Sequence, residues 1–197
     1  MILKAMTSND LDSVVPLHQE AFEGFFLTRM GPQFLRSYYQ TILDFEGNIS
    51  LVACDPHSDR VMGFAVGFCD PQGFYSSFAR RRRRMLPIIA LAIARDLRLV
   101  PQILRNRRRV EAEAQKPIDA VELASIAVGT QGRGVGSRLL DAFTAQARLT
   151  GALRLTLTTD AIGNNPVRRF YEEHGFTLHG YEDRGGRTMC CYVKSLG

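Results

Sequence analysis

A glycine-rich loop, Gln131-Gly132-Arg133-Gly134-Val135-Gly136, lies between a strand-like run over residues 121–128 and a helix-like run over residues 137–149. Glycines let backbone N–H groups turn toward a ligand, and the start of a helix adds unpaired donors and the positive end of its dipole. The pattern predicts an anion site with a pyrophosphate as its ligand. It is not a Walker A sequence, because no Gly-Lys-Ser/Thr follows, and Leu139 occupies the third glycine position of the dinucleotide fingerprint.

A second segment carries groups suited to amide recognition and proton transfer. It follows a strand-like run from Leu153 to Thr158, leads to Gly175-Phe176, and reads Asn164-Asn165-Pro166-Val167-Arg168-Arg169-Phe170-Tyr171. Together, the two segments resemble the central motifs of the GCN5-related N-acetyltransferase (GNAT) superfamily. Those motifs are Gln-x-x-Gly-x-Gly after an Ile-Ala-Val strand end, and then Asn-x-x-small-x-x-x-Tyr ahead of Gly-Phe. The order and spacing of the two motifs make the resemblance specific.

The resemblance implies an α/β fold with a mixed central sheet that is flanked by helices. This sheet is expected to splay between its fourth and fifth strands and to admit the pantetheine arm of acetyl-CoA, the implied acyl donor. The resemblance covers residues 3–193 apart from an insertion, so residues 1–197 are expected to form one acyltransferase domain.

The resemblance also implies which residues hold acetyl-CoA. Backbone groups of Ile126 and Val128, with Ala127 between them, are expected to pair with the pantetheine amides. Arg133 and Arg138 either assist the pyrophosphate electrostatically or remain solvated at the helix start. The residues expected to hold the pyrophosphate are Gln131, Gly132, Arg133, Gly134, Val135, Gly136 and Ser137.

Tyr171 occupies the position that protonates the departing CoA thiolate in many GNAT enzymes. A proton donor is needed there because an amine attacks the thioester and CoA leaves as a sulfur anion. The alternative role of Tyr171 is core packing beside Phe170. Asn164 matches a residue that hydrogen-bonds the pantetheine region, and it is also a good helix N-cap ahead of Pro166.

The general base has two candidates. Glu122 lies six residues before Val128, a spacing that resembles the base glutamate of the histone-type branch. Asp160, which follows the strand-like run, is the second candidate, and the base can also act through water. The alternative interpretation of Glu122 is a carboxylate at a strand end that faces solvent. Thr158 and Thr159 stand where the peptide-terminus branch often has a glutamate, which weakens the case for a peptide substrate.

The acceptor is expected to be a small-molecule primary amine. Three segments resemble a bacterial GNAT subgroup associated with surface polysaccharide biosynthesis: residues 25–35, residues 157–160 and an arginine-rich insertion. This resemblance implies that the acceptor is an amino sugar on a nucleotide or lipid carrier. The segment after the first helix usually lines the acceptor pocket in this fold. Its candidate contacts are Phe25, Phe26, Thr28 and Arg29, with core packing as the alternative for both phenylalanines.

A basic segment interrupts the domain between two strand-like runs. Residues 74–117 contain twelve Lys/Arg against three Asp/Glu, a charge of +9, so the rest of the chain carries 5 − 9 = −4. The segment is predicted to be a helical insertion, and residues 78–109 within it favour peripheral membrane contact or a homodimer. Nucleic-acid binding ranks last because the apolar run has no role there and no recognition motif appears. Simple packing of the apolar run with solvated arginines is the remaining alternative.

Composition limits the class of protein. A chain of 197 residues with 45% hydrophobic and 23% charged residues suits one globular domain. No run reaches the roughly 20 apolar residues that span a bilayer, and Asn9, Asp10 and Asp12 interrupt any signal peptide. The four cysteines lack metal-ligand spacing, so no metal is expected. A cytoplasmic location is expected, with attachment at the inner membrane face as a variant.

The elements that must position these groups alternate along the chain. Periodicity predicts helices after Ser8-Asn9-Asp10 and over residues 32–43, and a glycine pair at 185–186 predicts a hairpin. Strands are predicted over residues 2–6, 49–54, 61–68, 121–128, 153–158, 176–182 and 187–193. The sequence therefore favours an N-acetyltransferase, and the alternative is a non-catalytic acyl-CoA-binding module.

Overall fold

The protein is an α/β structure in which seven strands form one sheet. Its computed structural model describes residues 1–81, 85–113, 120–129, 134–184 and 186–197. The strands are β1 (Ile2–Ala5), β2 (Asn48–Cys54), β3 (Val61–Phe68), β4 (Val121–Val128), β5 (Arg154–Asp160), β6 (Thr177–Asp183) and β7 (Thr188–Ser195). The helices are α1 (Leu11–Ala21), α2 (Phe26–Arg29), α3 (Pro32–Leu43), α4 (Pro71–Arg81), α5 (Leu86–Arg95), α6 (Leu99–Glu113), α7 (Val135–Leu149) and α8 (Asn165–Glu173).

The sheet has the order β1-β2-β3-β4-β5-β7-β6. All neighbours are antiparallel except β4 and β5, which run parallel with α7 as their crossover. A register shift between Val66 and Gly67 interrupts the pairing of β3 with β4, so that Val66 faces Ser125 while Gly67 faces Leu123. Ala124 is therefore an extra residue in β4, which is a β-bulge.

Each face of the sheet buries its own apolar cluster. On one face, α7 places Leu139, Leu140 and Phe143 against the strands, together with Tyr171 of α8. On the other face, apolar residues of α1 and α3 pack on β2 and β3, as the helical periodicity predicts. Gly67 lets α7 approach the sheet closely, because a Cβ there would lie 2.6 Å from Phe143 Cζ and 2.0 Å from the Glu122 carbonyl oxygen.

The basic insertion between β3 and β4 contains three helices, α4, α5 and α6. Phe74 of α4 is buried and stacks on Phe68 of β3, with ring centroids 3.7 Å apart. A third apolar cluster joins α5 and α6 to α3 and the end of α2, through Met30, Phe34, Ala92 and Leu99. Residues 82–84 and 114–117 of the predicted insertion lie outside the described residues. No described helix is long and apolar enough to cross a membrane.

The predicted α/β fold with its splayed mixed sheet is confirmed, and most predicted elements match to within two residues. The helix predicted after Ser8-Asn9-Asp10 does begin at Leu11. Ser8–Asp10 themselves form a 3-10 helix whose capping box uses Thr7, and Asp10 is the N-cap residue of α1 without a side-chain hydrogen bond. The segment after α1 also contains a short helix, α2, that the pattern did not predict. Gly185 of the predicted hairpin lies outside the described residues, although β6 and β7 do pair as expected.

Candidate active site

An opening between β4 and β5 is the centre of the candidate site. The two strands share only two register pairs, Val121 with Leu155 and Glu122 with Thr156. Beyond Glu122 both strands continue, β4 to Val128 and β5 to Asp160, without pairing to each other. The sheet therefore splays toward the carboxyl ends of these two strands, where an extended ligand can pair with an exposed strand edge.

The backbone of β4 after the bulge is directed into this opening at alternate residues. Gly129 N–H donates to the Met62 carbonyl at 2.9 Å, so Gly129 faces β3. Because successive residues of a strand point their N–H and C=O groups to opposite sides, Ala127 also faces β3, and Ile126 and Val128 face away from it. Their backbone groups therefore border the opening, at the positions that the sequence predicts for pantetheine pairing.

The start of α7 forms one end of the opening. Gly134 is its N-cap residue and has a left-handed backbone with φ of +73°, which glycine adopts without a Cβ penalty. A Cβ on Gly134 would meet no atom of the described chain within 4 Å, so the space above it is open. Val135 is buried and Ser137 half-buried. Gln131, Gly132 and Arg133 of the predicted cradle lie outside the described residues.

Three parts of the predicted motifs converge next to this helix start. A Cβ placed on Gly136 would lie 3.6 Å from Phe170 Cζ of α8 and 3.8 Å from Val128 Cγ1 of β4. The strand end, the glycine segment and the second motif are therefore neighbours in space, although they are far apart in sequence. This arrangement can hold a phosphate at the helix start and an extended chain along β4.

Tyr171 lies in α8, one residue after Phe170, and is 6% exposed. Its ring contacts the rings of Phe170, Phe176 and Tyr192. Burial raises the pKa of the phenol well above its ordinary value, so the hydroxyl stays protonated at neutral pH but is a weaker acid than a free tyrosine. The burial and the ring contacts fit the core-packing role, and proton donation by Tyr171 stays a prediction.

Asn164 precedes α8 at its N-cap position, but its side chain makes no capping hydrogen bond. Asn164 is therefore the N-cap residue, as predicted, although without this bond. Its Nδ2 instead donates to Thr159 Oγ1 at 2.7 Å. Asn164 therefore ties the start of α8 to the end of β5, on the side of the opening opposite to β4.

Glu122 occupies the last paired position of β4, where the two strands begin to separate. It is half-buried, and its Oε1 accepts a hydrogen bond from the Tyr75 hydroxyl of α4 at 2.9 Å. The insertion thus supplies a partner for the first candidate base. No local sequence pattern predicts this contact, because the two residues are 47 positions apart.

Asp160 is held in an ion pair at the end of β5. Arg187 donates to both of its carboxylate oxygens, with Nε 3.1 Å from Oδ1 and Nη2 2.6 Å from Oδ2. The same guanidinium lies 3.9 Å from the centre of the Phe25 ring. The segment after α1 therefore reaches across the sheet to β5 and β7. Phe25, Asp160 and Arg187 form a wall at the entrance to the opening between β4 and β5. The part that Arg187 plays in this wall was not predicted from the sequence.

The other three acceptor candidates have partners within the protein. Thr28 Oγ1 donates to the Phe22 carbonyl at 2.7 Å and so closes the turn before α2. Arg29 Nη2 lies 2.5 Å from Asp96 Oδ2, and this hydrogen bond lowers the pKa of the Asp96 carboxyl. Phe26 packs against the cluster that joins the insertion to α3. These contacts tie the segment after α1 to the insertion.

A buried polar pair behind Phe22 was also missed from the sequence. His18 Nδ1 lies 2.6 Å from the Tyr39 hydroxyl oxygen, and Tyr39 is also hydrogen-bonded to Ser125 of β4. Burial lowers the pKa of His18 to about 4, so its ring is neutral. Nε2 of this ring has no hydrogen-bond partner among the described residues. The described residues contain no group of three or more His, Cys, Asp or Glu that could hold a metal ion.

Comparisons with known proteins agree with this arrangement. The sequence model of the Acetyltransferase (GNAT) family matches residues 113–176, which include β4, α7, β5 and α8. No curated protein matches the sequence.

Solved structures match the whole chain. A protein from Desulfovibrio desulfuricans assigned to the GNAT acetyltransferases is 19% identical over 100% of this chain and 99% of its own, with a TM-score of 0.64. The ribosomal-protein-alanine N-acetyltransferase from Brucella melitensis is 16% identical over 99% of both chains, with a TM-score of 0.63. Aminoglycoside 6'-acetyltransferase type Ii is 14% identical over 100% and 98%, with a TM-score of 0.61. At these identities the likeness shows a shared fold and not a shared substrate.

Proposed function

We propose that this chain, which has the GNAT acetyltransferase fold, is an N-acetyltransferase that moves the acetyl group of acetyl-CoA to a primary amine. Residues 1–197 act as one acyltransferase domain with residues 74–117 as its basic insertion. The fold is that of several N-acetyltransferases among the matching structures. The donor, the acceptor and the individual residue roles are parts of this proposal.

One observation carries the proposal. The backbones of Ile126 and Val128 face an opening between β4 and β5, and this opening ends at the left-handed Gly134 that starts α7. An extended chain with amide groups and a terminal pyrophosphate fits this combination of free strand edge and helix start. In this proposal Ile126 and Val128 pair with the pantetheine arm, while Ala127 between them pairs with β3. Gln131 to Ser137 hold the pyrophosphate, and Asn164 supports the arm from β5.

Acetyl-CoA supplies a thioester whose carbonyl carbon the amine attacks, and CoA leaves as a thiolate. Tyr171 donates a proton to that thiolate, and because burial raises the pKa of the phenol, this step requires the sulfur to be held directly against the hydroxyl. Glu122, directly or through water, accepts the proton that the amine loses. Asp160 remains the second candidate base. Because both of its oxygens accept hydrogen bonds from Arg187, it is better placed to position the amine than to take its proton.

The acceptor proposal is an amino sugar, either free or carried on a nucleotide or lipid diphosphate. The wall formed by Phe25, Asp160 and Arg187 combines an aromatic ring, a carboxylate and a guanidinium that is 41% exposed. A carboxylate attracts an ammonium group, a ring packs against a sugar face, and an arginine binds phosphate.

Residues 78–109 have two alternative partners in this proposal, an inner membrane surface or a second copy of the chain. Both are consistent with an enzyme whose acceptor is delivered at a surface or between subunits. A non-catalytic acyl-CoA-binding module is the alternative to an enzyme, and it would keep the opening and the helix start without turnover.

The test measures thiol release from acetyl-CoA in the presence of amino sugars, nucleotide-linked amino sugars, polyamines and peptides. Acceptor-dependent release should fall at least about tenfold in Tyr171→Phe, because the proton donor is lost. Tyr181→Phe is the matched control, since Tyr181 lies on β6 and is 60% exposed. Acetyl-CoA binding is measured separately by calorimetry.

Each outcome separates the parts of the proposal. Binding of acetyl-CoA without release by any acceptor would favour the non-catalytic module. Release that is equal in Tyr171→Phe and Tyr181→Phe would remove Tyr171 from the mechanism and leave the enzyme standing. Absence of acetyl-CoA binding would refute the donor.

A further inference from the structure

Helix α5 is apolar on the side that faces away from the protein. Nine of its ten residues are apolar, and Arg95 at its end is the exception. Ala92 is buried, and Ile88 and Ile89 are half-buried toward the cluster shared with α3. The exposed positions recur with helical period and carry Leu86, Pro87, Ala90, Leu91 and Ala94. A surface helix normally carries polar residues on its outer face, so an apolar outer face indicates that another molecule or surface covers it.

The apolar surface continues past the end of α5. Leu97 lies in the connection to α6 and is 73% exposed, and Val100 and Leu104 of α6 are also exposed. Together with Leu86 and Leu91, these residues are five of the thirteen large hydrophobic side chains exposed on the described chain, within only nineteen positions. We call residues 86–104 the apolar surface of the insertion.

Positive charge borders this surface. Residues 85–108 contain five arginines and one acidic residue, a charge of 5 − 1 = +4, and they contain no lysine or glutamate. The acidic residue, Asp96, is already hydrogen-bonded to Arg29. Arg98 and Arg105 are exposed beside the apolar residues. Solvent therefore meets apolar side chains flanked by Arg98 and Arg105, while Arg107 further along α6 pairs with Glu111.

We propose that the apolar surface of the insertion docks the protein on an anionic phospholipid bilayer. Helix α5 spans about 15 Å, half the thickness of a hydrocarbon core of about 30 Å, so it lies along the interface rather than across it. Its leucines enter the boundary between headgroups and acyl chains, while Arg98 and Arg105 reach the lipid phosphates. This inference does not depend on the proposed acetyl transfer.

Other occupants fit less well. A symmetric pair of chains would bring a surface of charge +4 against its own copy, and like charges repel at such distances. Nucleic-acid phosphates would neutralise the arginines but leave Leu91 and Leu97 exposed to water. An anionic bilayer satisfies both the leucines and the arginines, which favours it over the other two.

The test is co-sedimentation of the full chain with vesicles of phosphatidylcholine containing about 30% phosphatidylglycerol, and with vesicles of phosphatidylcholine alone. Binding is expected to the anionic vesicles. Arg98→Gln/Arg105→Gln should lower the partition coefficient about 30-fold, or about fivefold per arginine removed. Leu91→Gln/Leu97→Gln should lower it at least about tenfold, because the inserted apolar area is lost.

Matched controls carry the same changes elsewhere. Leu149→Gln removes a leucine of α7 that is 88% exposed, and Arg60→Gln removes an exposed arginine beside β3. Both should bind as the wild type does. Loss of binding in the arginine pair alone would mean adsorption by charge and would overturn docking through the apolar surface. Failure to bind anionic vesicles would also overturn it, as would self-association that disappears in Leu91→Gln/Leu97→Gln, which would identify a second copy as the occupant.

Discussion

His18 should make the protein less stable in mild acid. The residue is 3% exposed, and its Nε2 has no hydrogen-bond partner among the described residues. Burial lowers its pKa from 6.5 to about 4 in the folded protein. Between these two values the unfolded chain binds a proton that the folded protein excludes, so the free energy of unfolding falls as the pH falls.

The size of this effect follows from the two pKa values. At about 1.4 kcal/mol for each unit of pKa, the full difference is worth about 3 kcal/mol once the pH reaches about 4. Between about pH 7.5 and about pH 5 the loss amounts to about 2 kcal/mol. With a urea dependence of about 2 kcal/mol per molar, the midpoint of unfolding should fall by about 1 M from this residue alone.

Other groups also titrate in this range, so the assay compares variants. Urea unfolding is measured at about pH 7.5 and about pH 5 for the wild type, for His18→Gln, and for His57→Gln, which replaces an exposed histidine. The wild type and His57→Gln should lose the same stability, and His18→Gln should lose about 2 kcal/mol less. If all three lose stability in parallel, His18 is not desolvated as described and the reasoning fails.

Three further predictions concern the sheet, the helix start and the mouth of the site. Gly67→Ala should lower the free energy of unfolding by about 3 kcal/mol or more in urea titrations, because its Cβ would overlap backbone. Gly180→Ala, in open space on β6, should be nearly neutral, and equal losses would contradict the packing argument. Gly136→Ala should keep its stability, since its Cβ makes ordinary contacts. It should also weaken acetyl-CoA binding at least about tenfold by calorimetry, and unchanged affinity would count against the cradle. Arg187→Lys loses the two-pronged hydrogen bond to Asp160, so the KM for the acceptor should rise about tenfold while the affinity for acetyl-CoA stays unchanged. An equal loss of acetyl-CoA affinity would refute the proposal that this wall acts on the acceptor alone.

Much of the fold could be predicted from the sequence because its strong elements have one clear period. Pro32–Leu43, Val61–Phe68 and Val121–Val128 were predicted at their observed bounds, since apolar periodicity and flanking turn residues agree there. The α2 helix of four residues was missed because so short an element carries no periodicity. The strand β5 runs two residues further than predicted, to Asp160, through threonines that suit a strand.

The features of the site that could be predicted are those in which a sequence motif determines the local backbone conformation. The glycine loop was predicted to lead into a helix, and α7 does follow it, although the helix begins at Val135, two residues before the predicted start, with Gly134 as its N-cap. The ion pair of Asp160 with Arg187 and the bond from Tyr75 to Glu122 join residues 27 and 47 positions apart. Such contacts depend on how β7 and α4 are laid beside the site, and no local pattern encodes that. The burial of His18 was likewise hidden, because a histidine on an amphipathic helix can lie at the edge of either face.

The single extra residue in β4 determines which strand edge is available for binding. Before Ala124, the carbonyl of Glu122 faces β3 and that of Val121 faces β5, so even-numbered residues pair with β3. After Ala124, the parity is reversed, because Gly129 now pairs with β3. In a regular strand, the backbone N–H and C=O groups of Ile126 and Val128 would bond to β3, and those of Ala127 would face the opening. The bulge thus reverses which residues of β4 face β3. As a result, β4 stays hydrogen-bonded to β3 along one edge, while the backbone groups of Ile126 and Val128 remain available along the other edge.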